Sequence, residues 1–154
     1  MQLSDLLDFD AIKTALPGGN KRSLLQQLAN LAAQRLEIDP ATVLASVAER
    51  EQLGSTGFGQ GVAIPHGKIE GLSRIYCLFA RLAEPVDYKA IDGKPVDLVF
   101  LLLSPPDSGA EHLQALAAIS RATRHVPTLE KMRGARSRDA LAAVLMAADE
   151  RDAA

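Results

Sequence analysis

The stretch 96-VDLVFLLL-103 decides how the rest of the chain is read. It is apolar except at Asp97. A strand with one wet face alternates apolar and polar residues, so a run of this kind fits a strand covered on both faces. Two covered faces require helices on both sides of a sheet. Working outward, 74-RIYCLFARL-82 reads as a second strand, 62-VAI-64 as a short buried strand end, and 12-IKTAL-16 as a short strand before the turn 17-PGGN-20. Asn20 is a suitable N-cap for a helix over 21–36, with Leu24, Leu25, Leu28, Leu31, Ala32 and Leu36 on one face. Asp39 caps a second helix with Pro40 at its first position; Val43, Leu44, Val47 and Ala48 give it an apolar face, and it stops near Leu53 before Gly54.

On the other side of the central run, 104-SPPD-107 breaks the strand, and Ser108 followed by Glu111 is a capping-box pattern that opens a helix through 111-EHLQALAAISRAT-123. Its inner side is expected to carry Leu113, Leu116, Ala117 and Ser120. Two short helices follow near 128–133 and 138–147. The order of elements predicts an α/β protein, a single three-layer α/β/α domain with a mixed parallel/antiparallel sheet.

Composition narrows the function classes. The chain has 154 residues, 47% hydrophobic and 23% charged, which suits one soluble domain with a substantial core. A net charge of −2, 4% aromatics and no Trp argue against nucleic-acid binding. Cys77 is the single cysteine; it rules out an intrachain disulfide, fits a reducing compartment, and reads as a buried, inert thiol. No run approaches the roughly 20 apolar residues of a membrane helix, so direct membrane insertion is not expected. The acidic start 1-MQLSDLLDFD-10 lacks a basic n-region, so a cytoplasmic location is expected.

The chemistry concentrates in 54-GSTGFGQGVAIPHGK-68. Its glycines at 57, 59 and 61 follow a helix and precede a strand, the reverse of a dinucleotide-binding turn, and their spacing is G-x-G-x-G. His66 stands between Pro65, which stiffens the approach, and Gly67, which has no Cβ to shield the ring. With an ordinary pKa of about 6.5, much of such an imidazole is unprotonated and nucleophilic at neutral pH. The competing reading is a histidine with local hydrogen bonds alone. His112 tips the balance, because it falls in the first turn of a helix, a setting suited to anions. Arg50 offers charge-assisted bonds and Thr56 a hydroxyl, and the set suggests phosphoryl chemistry. Zinc is a weaker reading, for want of a close ligand pair beside Cys77. A hydrolase built on Ser104 or Ser108 lacks a G-x-S-x-G elbow. His125, before Pro127, reads as a helix-end residue without chemical duty, and Arg121, Arg124, Arg133, Arg136 and Arg138 as a solvated basic face.

The stretch 55-STGFGQGVAIPHGK-68 closely resembles the active-site signature of the enzyme IIA components of the bacterial phosphoenolpyruvate-dependent phosphotransferase system, in the fructose/mannitol class. Residues 24–57 and 90–120 resemble the two-helix approach and the second-histidine segment of the same family, and the whole is most similar to its nitrogen-regulatory branch. The resemblance implies one type-2 IIA domain over residues 1–150, with 151–154 a frayed tail. It implies that His66 accepts a phosphoryl group on Nε2 from a histidine phosphocarrier protein and that His112 and Arg50 steady the phosphoryl oxygens. Thr56, Gly57, Gly59, Gly61, Pro65 and Gly67 would shape the pocket and let the donor approach. Independently of the resemblance, Phe58, among small and apolar residues, reads as an exposed anchor for a partner. No cofactor and no metal are called for. Two outcomes remain open: a relay end-point whose phosphorylation state controls regulated target proteins, or a sugar-transport intermediate passing phosphate to a IIB partner. A binding module without covalent chemistry would need His66 to be inert.

Overall fold

The computed structural model describes residues 1–149, and the apolar run lies at its centre. In chain order the elements are α1 (Leu3–Leu6), a 3-10 turn (Phe9–Ala11), β1 (Lys13–Leu16), α2 (Lys21–Leu36), α3 (Pro40–Gln52), β2 (Gly57–Gly59), β3 (Val62–Ala63), β4 (His66–Lys68), β5 (Tyr76–Val86), β6 (Val96–Ser104), α4 (Gly109–Thr123), α5 (Val126–Gly134) and α6 (Arg138–Ala147). The strands form one mixed sheet in the order β1-β5-β6-β3-β2, with β4 also paired to β6. β1 runs parallel to β5, and β3 and β4 run parallel to β6; β5/β6 and β2/β3 are antiparallel.

Alternation along β6 divides the core into two. Leu98, Phe100 and Leu102 pack with Leu3, Ile119, Leu129 and Leu141 from α1, α4, α5 and α6. Val99, Leu101 and Leu103 pack with Leu24, Leu28, Val43 and Val47 from α2 and α3. Each such side chain removed from water contributes about 1.5–3 kcal/mol, and this two-sided burial is what an unbroken apolar strand encodes. Phe79 of β5 stands opposite Phe100 with ring centroids 4.9 Å apart and a 60° tilt, a favourable cross-strand aromatic pair.

The caps of α2 and α3 form as expected: Asn20 accepts from Ser23 N at 2.8 Å and Asp39 from Ala41 N at 2.9 Å. Other expectations need correction. Ser108 does not cap α4 through its side chain; its Oγ donates to Pro105 O at 2.7 Å, because the residue has helical angles and turns its hydroxyl back into the preceding turn. The inner face of α4 is His112, Ala115, Ala118, Ile119 and Ala122, while Leu113 is 67% exposed. Small alanines let the helix lie close to the sheet, so the bulkier leucine is turned outward. β5 continues to Val86, through Pro85, where a register shift relieves the ladder of the missing N–H.

The glycines before His66 are not an open loop. β2 and β3 form a hairpin around Gln60 (φ 58°) and Gly61 (φ 80°), the two positive φ values of a tight two-residue turn. The C-terminal arginines are not simply a solvated face either. Arg133 pairs with Asp97 at 2.8 Å and donates to Gln60 O at 2.6 Å, Arg138 donates to Phe9 O, and Arg121 to Met1 O at 3.2 Å. His125 precedes α5 rather than ending a helix at a break, since Pro127 falls in the first turn, where no N–H is required. Finally, the Asp149 carboxylate accepts from Leu3 N at 2.9 Å and Ser4 N at 3.0 Å, so the last described residue caps the first helix. The expected frayed tail, 151–154, lies outside the described residues. Among the described residues no helix is long and apolar enough to cross a membrane.

Candidate functional site

β3 and β4 both run parallel to β6, as two parts of one strand interrupted at Ile64 and Pro65; β3 is covered on its far side by β2, and β4 is left at the edge. The interruption is held on both sides: Pro65 O accepts from Leu102 N at 3.0 Å and Ile64 N donates to Thr56 O at 2.9 Å. His66 then sits in register with Leu102 and Gly67 with Leu103. Leu102 belongs to the layer of α4, Leu103 to that of α3. The strand therefore presents His66 to one helix layer and Gly67 to the other.

The His66 ring is 7% exposed, and its Nδ1 lies 2.7 Å from Ile64 O. A carbonyl oxygen cannot donate, so Nδ1 carries the proton and Nε2 is left with a free lone pair. His112, from the first turn of α4, is 8% exposed, and the two ring centroids are 5.3 Å apart at 55°. A cavity of about 400 Å³ joins them. α3 contributes Ser46, Glu49 and Arg50 to its wall, β4 contributes Gly67 and Lys68, and Leu53 stands at the end of α3. A roomier depression of about 590 Å³ around Gln60, Pro95 and Arg133 has no histidine among its described lining residues.

Burial holds the pKa of His66 below its ordinary value, and the positive charge of Arg50 adds to this against the opposing pull of the Ile64 carbonyl and Glu51. Burial also pushes His112 down, to about 4, helped by His66 and Lys68. Both rings are thus neutral at neutral pH. They share the cavity with two fixed cations, Arg50 and Lys68, which favour an incoming anion. The Arg50 guanidinium spends one N–H on Gly54 O, at 2.9 Å, and keeps others for a ligand.

The structure brings together His66, His112, Arg50 and Gly67, but it assigns different work to the remaining expected residues. Thr56 is fully buried, and its hydroxyl is bonded to Glu51 and, at 3.1 Å, to Tyr88 OH, so it is not offered to the cavity. Its contribution is the backbone: Glu51 accepts from Thr56 N at 3.0 Å, Thr56 O holds Ile64, and Ile64 O holds the His66 ring. Glu51 is itself fixed by Lys21 at 3.0 Å. A Cβ on Gly57 would meet Ala90 and Tyr88, one on Gly59 would approach Asp92, and one on Gly61 would meet Arg133 and Asp97. These three glycines permit close packing of the hairpin within the chain. Gly67 has the same reason: Ser46 fills the space a side chain would take, while its hydroxyl donates to Lys68 O at 2.9 Å. Phe58 is 47% exposed, yet it lies outside the cavity wall, and Val62 and Ile64 are buried.

The sequence alone does not point to Lys68, Ser46 and Glu49 as neighbours of His66, or to Ser104 as the partner of His112. Lys68 is two residues beyond His66 on a strand, the spacing that returns to the same face, and Ser46 and Arg50 are one helical turn apart. Ser104 Oγ lies 2.6 Å from His112 Nδ1 but is fully buried, so it is no exposed nucleophile. Cys77 is buried, and burial pushes its thiol pKa up, away from reactivity.

Three comparisons bear on this geometry. The family model described as phosphoenolpyruvate-dependent sugar phosphotransferase system, EIIA 2, matches residues 5–148. A nitrogen regulatory protein of Bradyrhizobium diazoefficiens is 46% identical over 145 residues, covering 94% of this chain and 95% of the relative. A fructose-specific EIIA component of Haloferax volcanii is 35% identical over 144 residues, covering 93% and 94%. Among solved structures, the nitrogen regulatory protein IIA-Ntr from Neisseria meningitidis superposes with a TM-score of 0.87 at 34% identity, covering 93% of this chain and 98% of that one.

Proposed function

The chain belongs to the EIIA 2 family of the phosphoenolpyruvate-dependent sugar phosphotransferase system, and on that premise we propose that it is a regulatory phosphoryl carrier that accepts a phosphoryl group on His66 Nε2. The observation that carries this reading is the bond from His66 Nδ1 to Ile64 O, 2.7 Å, which leaves Nε2 unprotonated in a cavity lined by Arg50, Lys68 and His112. The donor is a histidine phosphocarrier protein. Its N–P bond breaks as the bond to Nε2 forms; the lone pair of Nε2 is already free, so no base is needed, and the donor imidazole leaves with the electron pair. Positioning and stabilisation of the phosphoryl oxygens by Arg50, Lys68 and His112 supply the catalysis. Exposed Leu53, at the cavity wall, gives the donor an apolar contact beside the acceptor.

Relatives named as nitrogen regulatory proteins support a signalling end-point that controls target proteins by its phosphorylation state. The fructose-specific Haloferax relative keeps a transport role, with transfer to a IIB partner, as the second reading. Incubation with phosphoenolpyruvate and purified upstream carriers tests the acceptor. One acid-labile phosphoryl group per chain is expected, absent from His66→Ala; stoichiometric label on that variant, or an acid-stable ester, overturns the proposal. Addition of purified IIB separates the two roles: label retained supports the regulator, and rapid onward transfer supports transport.

A further inference from the structure

The two imidazoles of the cavity are held by different kinds of oxygen. Ile64 O, on His66 Nδ1, can only accept. Ser104 Oγ, 2.6 Å from His112 Nδ1, is a hydroxyl and can do either. Its surroundings decide. Ser104 is fully buried at the end of β6, and its own carbonyl is taken by Ile69 N at 2.8 Å. Among the described residues, His112 Nδ1 is the partner of its hydroxyl. Were Nδ1 to donate, the serine's proton would be left buried without an acceptor, which costs more than the bond returns. When the serine donates, its proton and the Nδ1 lone pair are both satisfied, and the ring's own proton resides on Nε2.

We infer that Ser104 is a positioning residue for phosphoryl transfer: its hydroxyl fixes His112 in the tautomer that carries N–H at Nε2, so that this ring presents a donor to the phosphoryl group on His66. The inference rests on the proposed acceptor role of His66. The two rings are then complementary. His66 is protonated at Nδ1 and offers a lone pair at Nε2; His112 accepts at Nδ1 and offers a proton at Nε2. One nitrogen attacks phosphorus while the other bonds a phosphoryl oxygen, and neither ring has to rotate or exchange a proton with solvent first.

Nitrogen-15 NMR of the unphosphorylated full chain reads the tautomers directly, with no phosphoryl donor present. Wild type is expected to show His112 as Nε2–H with an Nδ1 shift typical of an accepted hydrogen bond. Ser104→Ala should move the Nδ1 resonance towards that of a free lone pair and mix the tautomers, and transfer from the carrier should slow by about threefold or more. Ser104→Thr, which keeps the hydroxyl, should restore both signals. A His112 found as Nδ1–H in wild type overturns the inference. So does a Ser104→Ala variant whose His112 shifts or whose transfer rate are those of wild type, whatever its melting temperature. A wild-type chain that takes up no label overturns the acceptor reading instead, and the tautomer measurement distinguishes that failure from this one.

Discussion

Residues 57–61 and residues 64–68 come from one glycine-rich stretch, and they are put to contrasting use. In the first, Gly57, Gly59 and Gly61 let a hairpin settle against Ala90, Asp92 and Arg133, and the side chains it exposes face no charged cluster of the cavity. In the second, Gly67 lets α3 close onto the strand through Ser46, and the flanking side chains, His66 and Lys68, meet Arg50 and His112. Glycine in both places signals close backbone packing. The difference lies in what the packing brings together: in the hairpin a turn, in the edge strand an imidazole that shares a cavity with two cations. Glycine content therefore marks where the chain is crowded, and the polar residues opposite decide whether the crowding makes a site.

Perturbations at the two ends should separate chemistry from stability. The largest effect is expected from His66→Ala, which removes labelling altogether while circular dichroism still reports a folded chain; loss of the fold would instead make the ring a core element. Next, Arg50→Ala should slow transfer tenfold or more, as expected for loss of a charge-assisted bond of about 1.5–3 kcal/mol, with little change in urea midpoint. Rates equal to wild type would take Arg50 out of the site.

The pH dependence of stability comes third. His112 stays near a pKa of about 4 in the folded chain against an ordinary 6.5, and burial lowers His66 too. The unfolded chain then binds more protons between those values, so this stability is fully present above about pH 6.5 and is lost as the pH falls towards 4. For His112, discounted for screening through the cavity mouth, this amounts to about 1–2 kcal/mol, and His66 acts in the same direction. Denaturant titrations of wild type and His112→Asn check it; equal slopes with pH in the two proteins would contradict the buried-neutral state.

At the hairpin, Gly61→Ala places a Cβ at φ 80° against Arg133 and Asp97. A cost of about 1–2 kcal/mol is expected from the left-handed backbone, with labelling of His66 kept at one per chain. Loss of label without loss of stability would erase the contrast. Smallest of all, Phe58→Ala should alter transfer and stability by under about 0.5 kcal/mol, the usual range for a surface change. A large rise in the carrier concentration needed for half-maximal transfer would restore Phe58 as a docking anchor.

Legibility in the sequence followed the kind of physics involved. Local signals are readable: Asn20 and Asp39 as caps, the apolar run of β6, and Pro65-His66-Gly67 as an unusual setting for an imidazole; that His112 and Arg50 line the same cavity is a property of the fold. What escaped was set by contacts between distant segments. The inward face of α4 could not be read from hydrophobicity, because Ala115 and Ala118 are chosen for the gap beneath the helix while Leu113 is left outside. Thr56 reads from its neighbours in sequence as a free hydroxyl, whereas in the fold Glu51 and Tyr88 enclose it. Ser104 sits at a strand end eight residues from His112, and nothing local foretells that the helix brings the ring back to it.

The Asp149 cap on α1 sets an order of events in time. The carboxylate and the helix it completes are 146 residues apart in the chain. At ribosomal speeds of about 5–20 residues per second, on the order of ten seconds or more separates their synthesis. A four-residue helix cannot persist alone for that interval, since nucleation is unfavourable and α1 draws its packing from α4 and α6. α1 is thus made well before the residue that caps it, and it is among the last of the described elements to become ordered. Its apolar Leu3 and Leu6 lack their full cover until both α4 and α6 have been made. Stalled nascent chains probed by proteolysis would show it: cleavage near residue 3 should persist until α6 has emerged, and early protection there would mean that α1 finds another resting place first.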